Sequence, residues 1–202
     1  MTLVHPVPEG APDGDELRDV ARRLLVAIGE DPDREGLVET PRRVADAMAQ
    51  LTEGYWASPR AVVGDALFEH SGEDLVLLRD IPFYSLCEHH LLPFFGRCHI
   101  GYVPRGQVIG LSKLPRLVDV FARRLQLQER LTEEIAGAVE EVLQPLGVAV
   151  MMQARHLCLE MRGVERLQAS TVTSTYLGVL RDDAARRGEF QDLVRSKSVD
   201  SL

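Results

Sequence analysis

Residues 83–96 have the sequence FYSLCEHHLLPFFG, and the predicted fold is built around them. Four consecutive residues here, Cys87 to His90, can bind metal or move protons, and phenylalanine and leucine frame them. Polar groups in such an apolar run need partners, because burying them unpaired costs several kcal/mol. Zinc favours thiolate and imidazole, and Cys87 and His90 are close enough along the chain to bind one ion. The stretch therefore predicts two ligands of a zinc site.

A third ligand is predicted in residues 153–163, QARHLCLEMRG. Polar and apolar residues alternate strictly in the second half of this segment, which is typical of a β-strand with one polar face. On such a strand Cys158 would share a face with His156 and could join Cys87 and His90. Three protein ligands leave one position open for water, as in catalytic rather than structural zinc sites.

A more ordinary interpretation of the cysteines stays open. An isolated buried cysteine is usually an inert core thiol. That alternative remains for Cys87, although the Glu-His-His that follows it favours a metal. For Cys98, in a predicted strand over residues 97–103, the core thiol is the favoured interpretation. The other histidines are predicted to lie in the tail, on the surface or at a strand edge: His5, His70 and His99.

Composition limits the class of protein. The 202 residues carry a formal net charge of −8, and 45% are hydrophobic, as is usual for a globular protein. An acidic chain repels polyanions, so no nucleic-acid partner is expected. No run has the length of a membrane span, so no membrane partner is expected either. Three cysteines and the lack of a signal-peptide pattern predict a reducing, cytoplasmic location.

Local positive charge stands out against this acidic background. Concentrated cations in an acidic protein suit a small phosphorylated ligand better than nucleic acid. The basic residues concerned are Lys113, Arg116, Arg123, Arg124, Arg155, Arg162 and Arg166. Solvated helix faces are the alternative, and it is the preferred one for Arg123 and Arg124.

The pattern along the chain predicts three parts: a disordered tail over residues 1–13, a helical arm over 14–70 and a catalytic domain over 71–202. In the last part the order strand, strand, helix, helix, strand, strand predicts an α+β fold. Its four-stranded antiparallel sheet would carry both helices on one face. The exposed edges of such a sheet invite pairing with neighbouring subunits.

A second group of functional residues is predicted where the first of these two helices begins. Ser112, Lys113 and Arg116 lie there, and a helix N-terminus with two added cations suits phosphate groups. Gln128 and Glu129 are predicted to lie between the two helices. By itself, a carboxylate in that position is more often a solvated loop charge than a functional group.

Several long motifs, in the right order, resemble GTP cyclohydrolase I of the zinc-dependent type. The similarity covers the chain from about residue 15 to residue 195. The motifs that carry it are residues 84–96, 110–113, 126–132, the pair His156 and Cys158, residues 161–163, and residues 29–37 of the arm.

The resemblance implies a fold, an assembly and a reaction. The fold is the tunnelling fold, in which sheets join edge to edge into a barrel, and the assembly is a homodecamer with sites between subunits. The reaction opens the imidazole ring of GTP, releases C8 as formate and recloses the product as 7,8-dihydroneopterin triphosphate. This is the first step of tetrahydrofolate and pterin biosynthesis.

The resemblance also implies roles for individual residues. The zinc ligands would be Cys87, His90 and Cys158. The ribose and triphosphate would contact Ser112, Lys113, Arg116 and Arg162. The guanine would be bound by Gln128 and Glu129. Proton transfer would fall to His89 and His156, with Ser112 as a further candidate for the later ribose steps.

Two other classes of function are considered. A relative with the same fold could bind purines or pterins and do different chemistry, with a cysteine nucleophile as in a nitrile reductase or a three-histidine zinc site as in a pyruvoyl-tetrahydropterin synthase. The combination of Cys87, His90 and Cys158 speaks against both. A zinc-stabilised structural or regulatory module is the alternative from a different class. Which pathway uses the product stays open between folate, tetrahydrobiopterin and deazapurines.

Overall fold

The computed structural model describes residues 10, 12–163, 165 and 169–196. Most of the predicted tail over residues 1–13 lies outside them, as do His5 and Arg166. In the described part the helices are α1 (Gly14–Ala27), α2 (Thr40–Leu51), α3 (Pro59–Val63), α4 (Lys113–Ala122), α5 (Gln128–Leu143), α6 (Leu157–Glu160), α7 (Val179–Asp182) and α8 (Ala184–Arg195), with a 3-10 turn over Glu53–Trp56. The strands are β1 (Leu67–Glu69), β2 (Val76–Cys87), β3 (Pro93–Val103), β4 (Gln107–Ile109), β5 (Leu125–Gln126), β6 (Gly147–His156) and β7 (Thr171–Gly178).

The main sheet has the order β5-β2-β3-β6-β7. Its four long strands, β2, β3, β6 and β7, pair antiparallel, which confirms the predicted four-stranded sheet and the α+β class. The two-residue strand β5 adds a parallel pairing at the β2 edge, where Leu86 lies opposite Leu125 and Cys87 opposite Gln126. A second small sheet joins β1 to β4.

The core lies between this sheet and helices α4 and α5, which cover one face as predicted. Leu117 and Ile135 of the helices are fully buried with Ile100 and Val150 of the strands. Removing such side chains from water stabilises the fold by about 1.5–3 kcal/mol each. The opposite face is covered at one end by α8, whose Phe190 is buried in a second apolar cluster.

The prediction of one continuous strand over residues 153–163 is wrong. Strand β6 ends at His156, and residues 157–160 form the short helix α6. The neighbouring strands explain the break: β3 begins at Pro93, with its residue Phe94 opposite His156, and β7 begins opposite Ala154. Beyond His156 neither neighbour offers paired backbone, and alternation alone could not reveal where the partners begin.

The prediction that Gln128 and Glu129 lie between two helices is also wrong, because they open α5. Leu127 has an extended backbone as the N-cap residue, and the first turn closes with a bond from the Leu131 N–H to the Leu127 carbonyl, 2.9 Å. The Thr132 hydroxyl donates to the Gln128 carbonyl at 2.7 Å and holds this turn further. The start of α5 therefore fixes the backbone that carries both side chains.

The arm meets the rest of the chain at Gly54. Its N–H donates to the Arg123 carbonyl at 3.0 Å. A Cβ at Gly54 would lie 2.4 Å from the Val120 carbonyl oxygen, so only glycine permits this approach. The division at residue 70 stays a prediction, and β1, on the arm side of it, pairs with β4. Among the described helices, none combines the length and the apolar character needed to cross a membrane.

Candidate active site

A tight turn links the end of β2 to the start of β3. Because it carries two of the three predicted metal ligands, we refer to residues 87–91 as the metal-binding turn. The backbone N–H groups of His90 and Leu91 both donate to the Cys87 carbonyl, at 3.2 and 2.8 Å. Leu91 has a φ of +54°, which an L residue with a side chain adopts only under constraint. This curvature brings the Cys87 sulfur to 3.9 Å from Nδ1 of His90.

The third predicted ligand arrives from α6. Because the chain turns into a helix directly after His156, Cys158 points back toward the metal-binding turn rather than along a strand. The ligand atoms of Cys87, His90 and Cys158 all lie within 4.8 Å of one another. The two distant segments that carry the predicted ligands therefore meet, although Cys158 arrives on a short helix and not on the predicted strand.

The donor set fits a zinc ion. Zinc bonds of 2.3 Å to sulfur and 2.0–2.1 Å to nitrogen in a tetrahedron place donor atoms about 3.5–3.8 Å apart. The observed cluster needs only a small contraction to reach that spacing. Burial raises the pKa of the Cys158 thiol, and the neighbouring Cys87 raises it further. A divalent cation between the two sulfurs would reverse this and favour both thiolates.

Glu160, at the end of α6, is paired with an arginine. Its carboxylate accepts two hydrogen bonds from the Arg155 guanidinium, at 2.8 and 2.6 Å, and only 5% of the residue is exposed. These bonds lower the pKa of the Glu160 carboxyl. The pair braces α6 against the end of β6, which fixes the position of Cys158 between them.

His156 lies beside the metal cluster in a confined position. Its ring stacks on Phe94 with 4.7 Å between ring centroids and an angle of 1° between planes. Its Nε2 is 2.8 Å from the side-chain oxygen of Gln128. Burial lowers the pKa of His156, and the Glu129 and Glu160 carboxylates partly oppose that shift. The structure thus brings His156, Gln128 and Glu129 into one neighbourhood.

The orientation of the Gln128 amide settles which nitrogen of His156 carries the proton. Only 1% of Gln128 is exposed. Its Nε2 donates toward the carbonyls of Met152 and Thr171, at 3.2 and 3.0 Å, and toward the Thr173 hydroxyl at 3.1 Å. The amide oxygen must therefore face His156, and since an amide oxygen only accepts, His156 donates from Nε2. Its Nδ1 is left as the nitrogen that can exchange a proton.

The remaining predicted residues are on the surface. Glu129 is exposed in the first turn of α5. His89 is exposed next to His90, with 6.1 Å between their ring centroids, and Arg162 is exposed just after α6. Ser112 is the exposed N-cap residue of α4 and makes no side-chain capping bond.

Two of the residues predicted to bind phosphate, Lys113 and Arg116, face the arm. Lys113 donates from Nζ to the Val62 carbonyl at 2.9 Å. Arg116 lines a cavity of about 370 Å³ together with arm residues such as Trp56. Among the described residues, those lining this cavity include none of the metal cluster. Lys113 and Arg116 therefore contact the arm, whereas Arg162 is close enough to Cys158 to influence the pKa of its thiol.

Sequence reasoning missed the residues that hold the site together. Glu88 in the metal-binding turn is ion-paired with Arg130 of α5, and Phe94 supports His156 from β3. Both Glu88 and Arg130 lie inside the quoted motifs, so the motifs contained the signal. Nothing in their spacing shows that a loop carboxylate and a helical guanidinium meet.

The chain is similar to known proteins in sequence and, more distantly, in structure. The sequence model of the GTP cyclohydrolase I family matches residues 17–195. The chain is 53% identical over 182 residues to GTP cyclohydrolase 1 of Leptospira biflexa, covering 90% of this chain and 100% of the relative. It is 50% identical over 197 residues to GTP cyclohydrolase 1 of Deinococcus radiodurans, covering 96% and 91%. Among solved structures it is similar to an archaeosine synthase QueF-Like in the apo form, with a TM-score of 0.45, 20% identity, and 54% of this chain and 97% of that chain covered.

Proposed function

The chain belongs to the GTP cyclohydrolase I family, and from this premise we propose how its residues act on GTP. As a hydrolase of this family it opens the imidazole ring of GTP, releases C8 as formate and closes the product to 7,8-dihydroneopterin triphosphate. The observation that carries the proposal is the cluster of Cys87, His90 and Cys158 beside His156. Attack on a neutral purine carbon needs a strong nucleophile and a nearby proton donor, and this pairing can supply both.

We assign Cys87, His90 and Cys158 as the ligands of one zinc ion per chain. Zinc, when bound, supplies a nucleophile of hydroxide strength at neutral pH. Two sulfurs and one imidazole suit zinc better than magnesium or calcium, which prefer oxygen ligands. The partly exposed cluster, with His90 on the surface, leaves access for a substrate.

We assign proton transfer at the purine to Nδ1 of His156. Gln128 accepts a hydrogen bond from Nε2–H, so Nδ1 is the nitrogen that can take up a proton from the attacking water and pass it to the purine ring nitrogen. The stacking on Phe94 keeps the ring in one plane during this transfer. Later steps open the ribose and move protons between its carbons, and the exposed His89 and Ser112 are the proposed acid and base groups there.

Recognition of guanine is assigned to the Glu129 carboxylate. Guanine presents N1–H and its exocyclic amine as adjacent donors, and one carboxylate can accept from both. Adenine presents an acceptor at N1, which would face the carboxylate unpaired. The exposure of Glu129 in the first turn of α5 supports this assignment. The Gln128 side chain, which the resemblance also assigns to guanine, is better suited to orienting His156, because both ends of its amide are already bonded inside the chain.

The triphosphate is assigned to Ser112, Lys113, Arg116 and Arg162, and the assembly to a homodecamer with sites between subunits. Two features support this. Lys113 and Arg116 at the start of α4 face the arm, and the described residues that line the cavity beside Arg116 include no predicted metal ligand. The main sheet also ends in β7 on one side and in the two-residue β5 on the other, and such edges can pair with a neighbouring chain. A site shared between chains would unite the two groups.

Formation of a fluorescent pterin from GTP tests the reaction, and Glu129→Gln tests the specificity residue. The zinc-loaded protein is expected to turn over GTP. Glu129→Gln keeps the shape but replaces an acceptor oxygen with a donor, so kcat/KM for GTP should fall about 10- to 100-fold with zinc content unchanged.

Glu133→Gln is the matched control, because Glu133 is exposed on the same helix one turn further on. It should leave turnover unchanged. If the zinc-loaded wild type forms no pterin, the function is refuted. If Glu129→Gln matches the wild type, guanine is recognised elsewhere.

A further inference from the structure

The carboxylate of Glu88 lies between the ligands Cys87 and His90 in sequence, and it is held from outside the metal-binding turn. Its partner is the Arg130 guanidinium of α5, with which it forms an ion pair. The Arg130 and Glu88 side chains are only 17% and 30% exposed, so water screens this pair less than a surface pair. The pair joins the metal-binding turn to the helix that carries Gln128 and Glu129.

Arg130 makes further bonds to the segment that runs beside the metal-binding turn. Its Nε donates to the side-chain oxygen of Gln126 at 3.0 Å, and its Nη2 donates to the Leu125 carbonyl at 3.1 Å. Gln126 is 2% exposed and is held in turn by the Phe121 carbonyl and the Glu134 carboxylate, at 3.1 and 2.7 Å. One guanidinium thus binds both residues of β5 and the metal-binding turn.

The backbone of the metal-binding turn depends on the same segment. The Glu88 N–H donates to the Gln126 carbonyl at 3.1 Å, next to the parallel pairing of Cys87 with Gln126. A strand of two residues cannot hold a loop in register without further support. The planar fork of an arginine presents its donors in fixed directions, whereas a lysine is a flexible point charge with rotating donors. Arg130 supplies the support that β5 lacks.

We propose that Arg130 is a positioning residue for the metal site: through Glu88 and β5 it holds the metal-binding turn in the geometry in which Cys87 and His90 meet Cys158. It also fixes that turn relative to the first turn of α5, where Gln128 and Glu129 lie. The proposal rests on the proposed zinc site. Residues that orient metal ligands from outside typically contribute 10- to 100-fold in metal affinity or activity.

The test measures the affinity of the full-length protein for Co²⁺. Binding is monitored through the absorption bands that Co²⁺ develops when cysteine thiolates coordinate it. Arg130→Met removes the guanidinium but keeps much of the apolar stem, and Arg130→Lys keeps the charge but not the fork. Both should bind Co²⁺ about 10- to 100-fold more weakly than the wild type. At saturating metal, kcat should fall while KM for GTP stays near the wild-type value.

The matched control is Arg60→Met. Arg60 pairs with Glu141 on the same helix at 3.0 Å, but both side chains are largely exposed and distant in sequence from the metal-binding turn. It should leave Co²⁺ affinity unchanged. Thermal unfolding of the metal-free proteins separates the two possible roles, because an ion pair that merely stabilises the fold lowers the Tm without changing metal affinity.

Glu88→Gln provides a second variant that keeps the size of the side chain. If Arg130 acts through Glu88, the double variant Glu88→Gln/Arg130→Met should bind Co²⁺ no more weakly than the Arg130→Met variant. Wild-type affinity in the Arg130 variants would overturn the proposal. Failure of both the Arg130 and the Glu88 variants to fold would also overturn it, and would assign the pair to fold stability. A wild type that binds no Co²⁺ would instead refute the zinc site itself.

Discussion

Two groups of cysteine and histidine lie on the same sheet and have different environments. Cys98 and His99 are consecutive in the middle of β3, and both are buried. Cys87, His90 and Cys158 lie where β2 and β6 end, in a turn and a short helix. Consecutive residues of a strand point to opposite faces, so Cys98 and His99 cannot bind one ion. The chain reverses at the strand ends, and there the side chains can converge.

Cys98 and His99 show how a cysteine and a histidine are accommodated in the core without a metal ion. Cys98 is fully buried among apolar residues, and burial strongly raises the pKa of its thiol. His99 accepts a hydrogen bond on Nδ1 from the Asp80 N–H at 3.2 Å, within a β-bulge where Asp80 has a φ of +60°. Each polar group has a protein partner or is a weak hydrogen-bonding thiol, so neither needs a metal.

The largest effect expected from this comparison is in the cysteines. Cys158→Ser should lose zinc and all measurable pterin formation, because two ligands do not hold zinc tightly and serine is a poor zinc ligand. Cys98→Ser should keep zinc and activity. Metal content by atomic absorption and turnover of GTP are the two measurements.

Circular dichroism of both variants controls for folding, and both should retain the wild-type spectrum. Full zinc occupancy in Cys158→Ser would contradict the assignment of Cys158 as a ligand. Loss of zinc in Cys98→Ser would contradict the conclusion that Cys98, in the middle of β3, has no part in the metal site.

The next largest effect is a difference in kcat between variants of two histidines, the half-buried His156 and the buried His99. His156→Ala should bind zinc and GTP with near-normal affinity, but kcat should fall by roughly 10²–10⁴ because proton transfer through Nδ1 is lost. His99→Asn should leave kcat unchanged. Steady-state kinetics with zinc content measured in parallel tests both expectations, and a metal-free His156→Ala protein would mean that His156 is a ligand.

Removal of the metal should expose a third difference, in reactivity toward air. The ligand atoms of Cys87 and Cys158 lie within 4.8 Å of each other, so small movements could bring them to bonding distance. After chelation and aeration, the thiol count in denaturant should fall from three to one. The zinc-loaded protein should keep three thiols.

Cys98→Ser is the control for this oxidation. Its count should fall from two to none, because Cys98 has no part in the reaction. A count that stays at three in aerated, metal-free wild type would show that the two ligand thiols cannot reach each other.

The sequence predicted the sheet and its two covering helices, because these depend on hydrophobic periodicity. From residue types and the family resemblance it also predicted Cys87, His90 and Cys158 as common ligands, although their spacing could not show that the two segments meet. It did not predict that the strand stops at His156, since that depends on where β3 and β7 begin. The ion pair of Glu88 with Arg130 was missed for a related reason: contacts between a loop and a helix leave no periodic trace in either segment.

The smallest effect concerns His99 and the pH dependence of stability. Burial lowers the pKa of His99; the Asp80 carboxylate opposes the shift, and Arg79 and Arg97 add to it. In the unfolded chain the pKa is about 6.5. Below that pH the unfolded chain takes up a proton on His99 more readily than the folded protein does. The stabilisation present above pH 6.5 is therefore lost as the pH falls toward the lowered pKa of His99 in the folded protein. The slope is at most about 1.4 kcal/mol per pH unit.

His99→Asn isolates this contribution, because the asparagine oxygen can accept from the Asp80 N–H where Nδ1 did but does not titrate. The free energy of unfolding in urea, measured at fixed protein and zinc concentrations, should favour the wild type less at pH 5.5 than at pH 8. Titration of the zinc ligands affects both proteins equally and cancels in the difference. His70→Asn, at an exposed site, should show no such pH-dependent difference. A difference for His99→Asn that does not change with pH would mean that His99 takes up its proton as readily in the folded protein as in the unfolded chain, and that the buried pair is less enclosed than its position in β3 indicates.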